Sequence, residues 1–310
     1  MANKNIILGK KPTISIGIPA YNEEANIKNL LTALLVQKRD DFELLEIIVV
    51  SDGSNDKTVE EVKSLASKKI LIIDGKDRKG QSQRQNEIVS IFNGDFLVLL
   101  NADILPENEM FLSNMIKPFL TNGNIGVVSN MGTPLSAQTF FEKIINFSVA
   151  MRREIAKAYN NGDNIYMCHG HSRAFSREFA KKIKWPNSAG EDAYSYLFCK
   201  KEGYDFYHQS LAEINYRSPQ NLNDHLKQSA RFVDSRKEME KYFDKNFVKS
   251  NYHIPFYLGV KVFAKYFLKN PILMSLYLGI YFISLTASKF TDKSGGIWKI
   301  SKTSKFLIKQ

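Results

Sequence analysis

The chain has few of the residues that mark particular protein classes. Its 310 residues include only two cysteines, nine prolines and two tryptophans. Cys168 and Cys199 have neither the number of a disulfide framework nor the spacing of a metal site, so both are expected to be reduced, buried thiols. The first 12 residues contain no apolar run long enough for a signal peptide. The amino-terminal part is therefore expected to stay in the cytoplasm.

Positive charge, by contrast, is in excess. Lysine and arginine number 43 against 32 aspartate and glutamate, for a formal net charge of +11. This charge is compatible with nucleic acid, an anionic membrane or phosphorylated substrates. Many of the late lysines are interleaved with apolar and aromatic residues: Lys261, Lys265, Lys269, Lys289, Lys293, Lys299, Lys302, Lys305 and Lys309. This arrangement favours a membrane surface, and without a recognition motif nucleic acid is not expected as a partner.

Strand and helix patterns alternate in the first third of the chain. Apolar runs typical of strands cover residues 13–18, 44–50, 70–73 and 96–100. The alternation predicts an α/β fold with a doubly wound sheet, in which ligands bind outside the carboxyl ends of the strands. Farther on, Phe140–Ala158 has the pattern of an amphipathic helix, and residues 166–179 are expected to return to the sheet.

Acidic residues stand where apolar strands end. Asp52 can accept hydrogen bonds from a nucleobase or ribose, although Asp and Gly after a strand are also ordinary turn formers. Asp103 suits a hard divalent cation that bridges a pyrophosphate. Glu191 and Asp192 are adjacent carboxylates, one of which can deprotonate an acceptor hydroxyl; a solvated acidic loop is the alternative.

Taken together and in this order, these segments resemble the family 2 glycosyltransferases of the GT-A fold, over roughly residues 12–235. The most specific part is IPAYNEE at 18–24 followed by VVSDGSNDKT at 49–58. The resemblance implies that the first loop and the second strand hold the base and ribose of a nucleotide, through Pro19, Tyr21, Glu23 and Asp52.

The resemblance extends to a basic glycine turn and to the metal motif. It implies donor contacts at Gly80, Arg84 and Asn86, with a solvated helix face as the alternative for Arg84. Asn101 replaces the first Asp of the family's metal motif but can still hydrogen-bond a ribose. Asp103 is retained, and the resemblance implies that it binds Mn²⁺ or Mg²⁺.

Three later segments complete the resemblance. HGHSRAF at 169–175 resembles the stretch that shapes the sugar and acceptor pocket, and its histidines are expected to line that pocket or the core rather than bind metal. Asp192 falls on the family's catalytic base and is preferred over Glu191. A Gln-x-x-Arg-aromatic sequence resembles the Gln-x-x-Arg-Trp motif of membrane-bound polymer synthases. With Glu191, it implies acceptor or diphosphate contacts at Gln228, Arg231 and Phe232.

Residues 251–310 are expected to form a helical membrane-association region behind a catalytic domain of residues 1–250. Lys261, Lys265 and Lys269 recur every four residues, which places them along one stripe of a helix. The uncharged run 271–287 would extend about 25 Å as a helix, less than the roughly 30 Å hydrocarbon core. Because lysines flank both ends, an interfacial or re-entrant hairpin is favoured over one or two spans. A soluble helix pair packed on the main domain is the remaining alternative.

These observations predict an inverting glycosyltransferase at the cytoplasmic face of the cell membrane. The expected donor is a nucleotide-diphosphate sugar, with a UDP-sugar favoured, and the expected acceptor is lipid-linked or a glycan. One alternative is a non-catalytic nucleotide-sugar-binding membrane scaffold, for which Asn101 leaves room. A nucleotidyltransferase is less favoured, because the first loop is acidic rather than glycine-rich and basic.

Overall fold

The computed structural model describes residues 11–188, 190–233, 235–288, 303–305 and 307, with only the backbone described at 230–233 and 288. The strands in this part of the chain are β1 (Thr13–Ala20), β2 (Glu43–Asp52), β3 (Ile70–Gly75), β4 (Phe96–Leu100), β5 (Ile104–Pro106), β6 (Ile125–Ser129), β7 (Thr133–Pro134), β8 (Ser172–Ser176), β9 (Asp205–His208) and β10 (Ile214–Tyr216). The helices are α1 (Ile27–Leu35), α2 (Thr58–Ser64), α3 (Gln81–Ile91), α4 (Phe111–Thr121), α5 (Phe140–Ala158), α6 (Arg177–Lys182), α7 (Glu191–Lys201), α8 (Leu222–Val233), α9 (Ser235–Met239), α10 (Lys245–Asn251), α11 (Phe256–Lys269) and α12 (Pro271–Ser288). Short 3₁₀ turns cover Tyr159–Gly162, Ile165–Met167 and Thr303–Lys305.

The central sheet has seven strands in the order β3-β2-β1-β4-β8-β6-β9. β1 pairs in parallel with β2 and β4, as the alternating strand and helix patterns predicted. β8 supplies the predicted return to the sheet but runs antiparallel to both β4 and β6. The central sheet is therefore mixed, and the antiparallel direction of β8 is a feature that the strand and helix patterns did not predict. Apolar periodicity identifies a strand but carries no information on its direction, which depends on the path of the connection.

Both faces of this sheet are covered. Ile47 and Val49 belong to the apolar cluster that includes α1 and α4, whereas Ile48 and Val50 belong to the cluster that includes α3, α6 and α7. Alternate side chains of one strand thus enter opposite cores, so the central residues 47–50 of β2 are all apolar. The predicted buried thiols are confirmed, since Cys168 and Cys199 are both buried and unpaired.

A second, three-stranded sheet has the order β5-β10-β7 and was not predicted. β10 runs antiparallel to β5 and parallel to β7. Its strands have only two or three residues each, too few for a periodic pattern. β5 begins directly after Asp103, so this small sheet anchors the loop that carries the predicted metal ligand.

Helices α11 and α12 form a hairpin that packs on α5. Ile144 and Ile145 of α5 cluster with Leu273 and Ile280 of α12. Farther along α5, Met151 clusters with residues of both hairpin helices. Within the described residues, no helix combines the length and apolar character needed to cross a bilayer. The hairpin exists where the sequence predicted helices, and membrane association remains a prediction.

The packed hairpin leaves several large apolar side chains exposed. Val262 and Tyr266 are buried, and the stripe of lysines passes close to them, since Lys269 Nζ is 5.7 Å from the centre of the Tyr266 ring. Phe256, Leu268 and Ile272, however, are 85%, 83% and 70% exposed. We call Phe256, Tyr257, Leu268, Ile272 and Phe282 the apolar face of the hairpin; all are exposed.

Candidate active site

The candidate site lies at the edge of the central sheet where β1, β2 and β4 end. Their parallel pairing brings the loops after these strands to one side. Antiparallel β8 begins at the same edge, because Leu100 at the end of β4 pairs with Ser172 at the start of β8. The stretch His169–His171 therefore joins the loops that follow the parallel strands. Glu191 and Asp192 follow later in the chain, at the start of α7.

The loops after β1 and β2 are bound to each other. The Asn22 side chain donates to Asn55 Oδ1 at 2.7 Å and accepts from the Asn55 backbone N–H at 2.9 Å. The Glu23 N–H donates to Thr58 Oγ1 at 2.7 Å. Asn22 has a φ of 52°, a left-handed conformation that asparagine tolerates better than most residues. The two most specific motifs of the sequence are therefore also structural partners.

Asp52 is a nearly buried carboxylate that organises the turn before α3. It accepts hydrogen bonds from the backbone N–H groups of Lys79 at 2.7 Å and Gly80 at 3.1 Å. Arg84 Nε donates to it at 2.8 Å. Gly80 has a φ of 87°, which favours glycine. Asp52 therefore holds the turn before α3 in place through these hydrogen bonds, in agreement with its predicted turn role. Its contact with a nucleotide remains a prediction.

The side chains of Arg84 and Asn86 are hydrogen-bonded to other residues of the protein in this structure. Arg84 is 2% exposed, which rules out the solvated helix face for it. Besides Asp52, it binds Glu87 Oε2 at 2.8 Å and the Asp77 carbonyl oxygen. The Asn86 amide donates to the Trp185 carbonyl at 2.8 Å and accepts from the Trp185 N–H at 3.0 Å. The donor contacts predicted for both residues remain predictions.

Tyr21 and Glu23 lie in the loop after β1, close in sequence to the half-buried Pro19, and are predicted to contact the donor. The guanidinium carbon of Arg78 lies 3.9 Å from the centre of the Tyr21 ring, a cation–π contact. Burial raises the pKa of Glu23 to about 7, Lys305 opposes the shift, and the charge of Asp103 adds to it. Glu23 and Asp103 are therefore close enough to interact.

The loop after β4 carries Asn101 and Asp103. Asn101 Oδ1 accepts a hydrogen bond from Gln81 Nε2 at 2.8 Å, and its N–H donates to the His171 carbonyl at 3.0 Å. Asp103 is half-buried. In the described part of the chain, no group of three or more His, Cys, Asp or Glu side chains is arranged to hold a metal ion. The donor set still fits Mg²⁺ or Mn²⁺ bound with a diphosphate, since such ions often use one or two carboxylates plus substrate phosphates and water.

The two carboxylates at the start of α7 differ in their surroundings. Glu191 is buried, with Oε1 3.9 Å from Arg173 Nη2. Its carbonyl accepts from Arg173 Nη1 at 2.8 Å and from Trp185 Nε1 at 3.1 Å. Asp192 is only half-buried, and its Oδ1 accepts from the N–H of Ala193 at 2.7 Å. The more accessible carboxylate is the one that sequence reasoning preferred as base, a role that remains a prediction.

The stretch His169–His171 faces these carboxylates. A Cβ placed on Gly170 would lie 3.2 Å from Glu191 Oε1 and 3.7 Å from Asp192 Oδ2. The His171 ring stacks on Tyr216 with centroids 4.4 Å apart. Burial, followed by the charges of His171, Arg152 and Arg153, lowers the pKa of His169 to about 3. His169 is therefore neutral at physiological pH, and its place in the sugar and acceptor pocket remains a prediction.

The α8 motif lies beside the end of the chain. Gln228 Nε2 is 3.5 Å from Ser304 Oγ. The backbone of Arg231 and Phe232 lies in α8, but their side chains are outside the described residues, so their contacts remain predictions.

Three positively charged side chains near these loops were not predicted as site residues. Arg78 contacts Tyr21, Lys305 contacts Glu23, and Arg153 binds the Met131 and Gly132 carbonyls. Arg78 stands in the turn before α3 and could have been considered with it. Lys305 had no such signal, because it is one of many carboxyl-terminal lysines.

Comparison with known proteins agrees with this architecture. Residues 15–184 match the sequence profile described as Glycosyl transferase family 2. A Haemophilus influenzae protein described as an uncharacterized glycosyltransferase is 24% identical over 203 residues, covering 62% of this chain and 73% of the relative. A Staphylococcus aureus poly-beta-1,6-N-acetyl-D-glucosamine synthase is 27% identical over 131 residues, covering 39% of this chain and 31% of the synthase.

Two solved structures share the fold. One is a mannosyltransferase from Pyrobaculum calidifontis in complex with GDP-Man and Mn²⁺, with a TM-score of 0.60, 18% identity, and coverage of 92% of this chain and 77% of that one. The other is glucosyl-3-phosphoglycerate synthase from Mycobacterium tuberculosis with Mn²⁺, UDP and phosphoglyceric acid, with a TM-score of 0.52, 18% identity, and coverage of 72% and 78%. The profile match spans more than half of the 310 residues, and the sheet is that of the GT-A fold. The chain therefore belongs to the family 2 glycosyltransferases, enzymes that act on nucleotide sugars.

Proposed function

We propose that this enzyme transfers a sugar, with inversion, from a nucleotide-diphosphate sugar to a hydroxyl or phosphate of a lipid-linked or polysaccharide acceptor. The observation that carries the proposal is the common edge of the sheet. Asp52, Glu23 and Asp103 border its donor side, and Asp192 lies against the His169–His171 stretch. A donor held by the first group of residues would thus meet an acceptor held beside the second group.

The accessible carboxylate of Asp192 supports a one-step displacement. In this reaction Asp192 takes the proton of the acceptor hydroxyl while that oxygen attacks the anomeric carbon. The bond between that carbon and the diphosphate oxygen breaks on the opposite face, and configuration inverts. General base catalysis of this kind typically contributes 10²–10⁴-fold. Buried Glu191, held beside Arg173, is less suited to the task.

Asp103 is the residue proposed to hold a divalent cation. Mn²⁺ or Mg²⁺ bound there with a donor diphosphate would neutralise the charge that grows on the leaving group. Asn101 contributes an amide that Gln81 orients, and with one carboxylate instead of two the cation would depend more on the diphosphate. We propose a UDP-sugar as donor, because the synthase from M. tuberculosis binds UDP and the name of the S. aureus relative specifies an N-acetylglucosamine polymer.

A lipid-linked acceptor at the cytoplasmic membrane face is supported by the hairpin. It carries exposed apolar residues together with the exposed Lys261 and Lys269, a combination suited to an anionic lipid surface. A cavity of about 530 Å³ lies between α5, the segment after β7 and Tyr266 of α11. Arg153 lines this cavity, and its charge also contributes to the lowered pKa of His169. We propose this cavity as the route by which a lipid-anchored acceptor approaches Asp192.

The decisive experiment is turnover by the purified full chain in phospholipid vesicles. Nucleotide diphosphate release would be measured for a panel of nucleotide sugars with Mn²⁺ or Mg²⁺, with and without polyprenyl phosphate or a lipid-linked saccharide. We expect acceptor-dependent release that Asp103→Ala abolishes and that the exposed-site control Asp40→Ala retains. Donor binding without release for every donor and acceptor would favour the non-catalytic scaffold instead.

A further inference from the structure

The end of the described chain crosses from α8 to the loop after β1. Thr303, Ser304, Lys305 and Leu307, which we call the carboxyl-terminal strap, lie between these two elements. Ser304 and Leu307 are buried, so the strap is packed into the protein.

The ammonium group of Lys305 lies against the donor loop. Its Nζ is 2.5 Å from the Tyr21 carbonyl oxygen, 2.8 Å from the Asn22 carbonyl oxygen and 2.6 Å from Glu23 Oε1. A lysine ammonium has three N–H donors, and three oxygens surround this one. All its donors are thus used on the loop, which favours holding the loop over binding a phosphate directly.

Further bonds fasten the strap at both ends. On the donor side, the Asn26 amide donates to the Lys305 carbonyl and accepts from the Leu307 N–H at 3.4 Å. On the α8 side, Asp224 Oδ2 accepts from the Thr303 N–H at 2.9 Å and from Thr303 Oγ1 at 2.8 Å. The strap therefore joins the donor loop to the helix that carries the Gln-x-x-Arg-aromatic motif.

The ion pair between Lys305 and Glu23 matters for the position of the loop, because both side chains are largely removed from water. The side chains of Lys305 and Glu23 are 17% and 8% exposed. A buried carboxylate that loses its cation keeps its desolvation cost and tends to move towards water. For Glu23 such movement would displace the loop itself, since its carbonyl also accepts the N–H groups of Asn26 and Ile27 at the start of α1.

We propose that Lys305 is a positioning residue of the donor site, which holds the Tyr21–Glu23 loop in its binding conformation from the far end of the chain. This inference rests on the proposed function, because it takes that loop as part of the nucleotide-sugar site. Loss of the Lys305 contacts then weakens donor binding and leaves the chemical step at Asp192 intact.

The test compares Lys305→Met with Lys181→Met, which removes the same charge from an exposed position on α6. We expect Lys305→Met to raise the donor KM about tenfold and to change kcat less than twofold, and Lys181→Met to change neither. Asp224→Ala loosens the strap at its other end without touching the donor loop. It is expected to raise the donor KM about threefold.

Hydrogen exchange gives a readout that does not depend on turnover. The Asn22, Glu23 and Asn26 amides are hydrogen-bonded, so they are expected to exchange faster in Lys305→Met than in Lys181→Met. If the wild-type protein transfers no sugar, the proposed function fails, while faster loop exchange still supports the strap. If Lys305→Met does not fold, Asp224→Ala decides on the same two readouts.

Either of two results would overturn the proposal. An unchanged donor KM together with unchanged exchange would mean that the loop does not need the strap. A lower donor KM or a higher kcat in Lys305→Met would mean that Lys305 obstructs the site.

Discussion

The donor side and the acceptor side of the site are built in different ways. On the donor side, the loops are hydrogen-bonded to one another. Asp52 at the end of β2 binds the turn before α3, and Asn22 in the loop after β1 binds Asn55 in the loop after β2. On the acceptor side, Asp192 is half-buried at the start of α7, where its side chain accepts a hydrogen bond from the N–H of Ala193. The residues predicted to bind the donor thus also hold the loops together, whereas the side chain of Asp192, the predicted base, binds only the backbone of its own helix among the bonds described above.

Asp192→Asn should give the largest effect and isolate chemistry on the acceptor side. Because asparagine cannot take the acceptor proton, we expect kcat to fall about 10³-fold. Nucleotide binding, followed by calorimetry, should stay within about twofold, and the thermal midpoint should barely change. Full activity of Asp192→Asn with normal donor binding would remove Asp192 from the role of base.

Asp52→Ala should show the opposite behaviour on the donor side. It removes one of the two carboxylates that pair with buried Arg84 and frees the Lys79 and Gly80 N–H groups. Breaking a buried pair in this way costs about 3–5 kcal/mol of unfolding free energy. Denaturant unfolding would measure the loss, with exposed Asp40→Ala as the control. A stable Asp52→Ala protein that only binds donor weakly would contradict the dual role.

His169 should make the acceptor side sensitive to acid. Its pKa is about 3 in the folded chain and about 6.5 when unfolded, so the folded state binds fewer protons between these values. Its contribution is complete above pH 6.5 and is lost as pH falls towards 3. Between pH 6.5 and 5 the loss amounts to about 2 kcal/mol.

His169→Gln should reduce this acid sensitivity, measured by denaturant unfolding at several pH values. His253→Gln, at an exposed position, is the matched control. Equal acid sensitivity in the wild-type and His169→Gln proteins would show that His169 does not carry the effect.

The smallest expected effect concerns the apolar face of the hairpin. Leu268 is 83% exposed, so Leu268→Ser removes apolar surface with little cost to the fold. If this face enters a bilayer, partitioning onto anionic vesicles should weaken about tenfold, as expected for roughly 1.5 kcal/mol of lost apolar transfer. Leu211→Ser, at a 63% exposed site outside the hairpin, should bind vesicles like the wild type. Equal binding by both variants would remove Leu268 from the lipid-contacting surface.

Much of the donor side could be predicted from sequence. β4 and α5 have the predicted bounds, and the loops after β1 and β2 carry local motifs whose glycine, asparagine and aspartate residues have preferred turn conformations. The small sheet could not be predicted, because strands of two or three residues show no period. The hydrogen bond between Asn86 and Trp185 also could not be predicted from the sequence, because the two residues are 99 positions apart.

The family, the alternating strands and helices of the donor half, and the acidic residues at the strand ends could all be predicted from the amino-acid sequence. These depend on local propensity and on short motifs that fold as units. Only the tertiary structure decided the antiparallel direction of β8, the burial of Glu191 beside the accessible Asp192, and the return of Lys305 to Glu23. Each of these depends on contacts between distant segments, and such contacts leave no periodic or compositional trace in either partner.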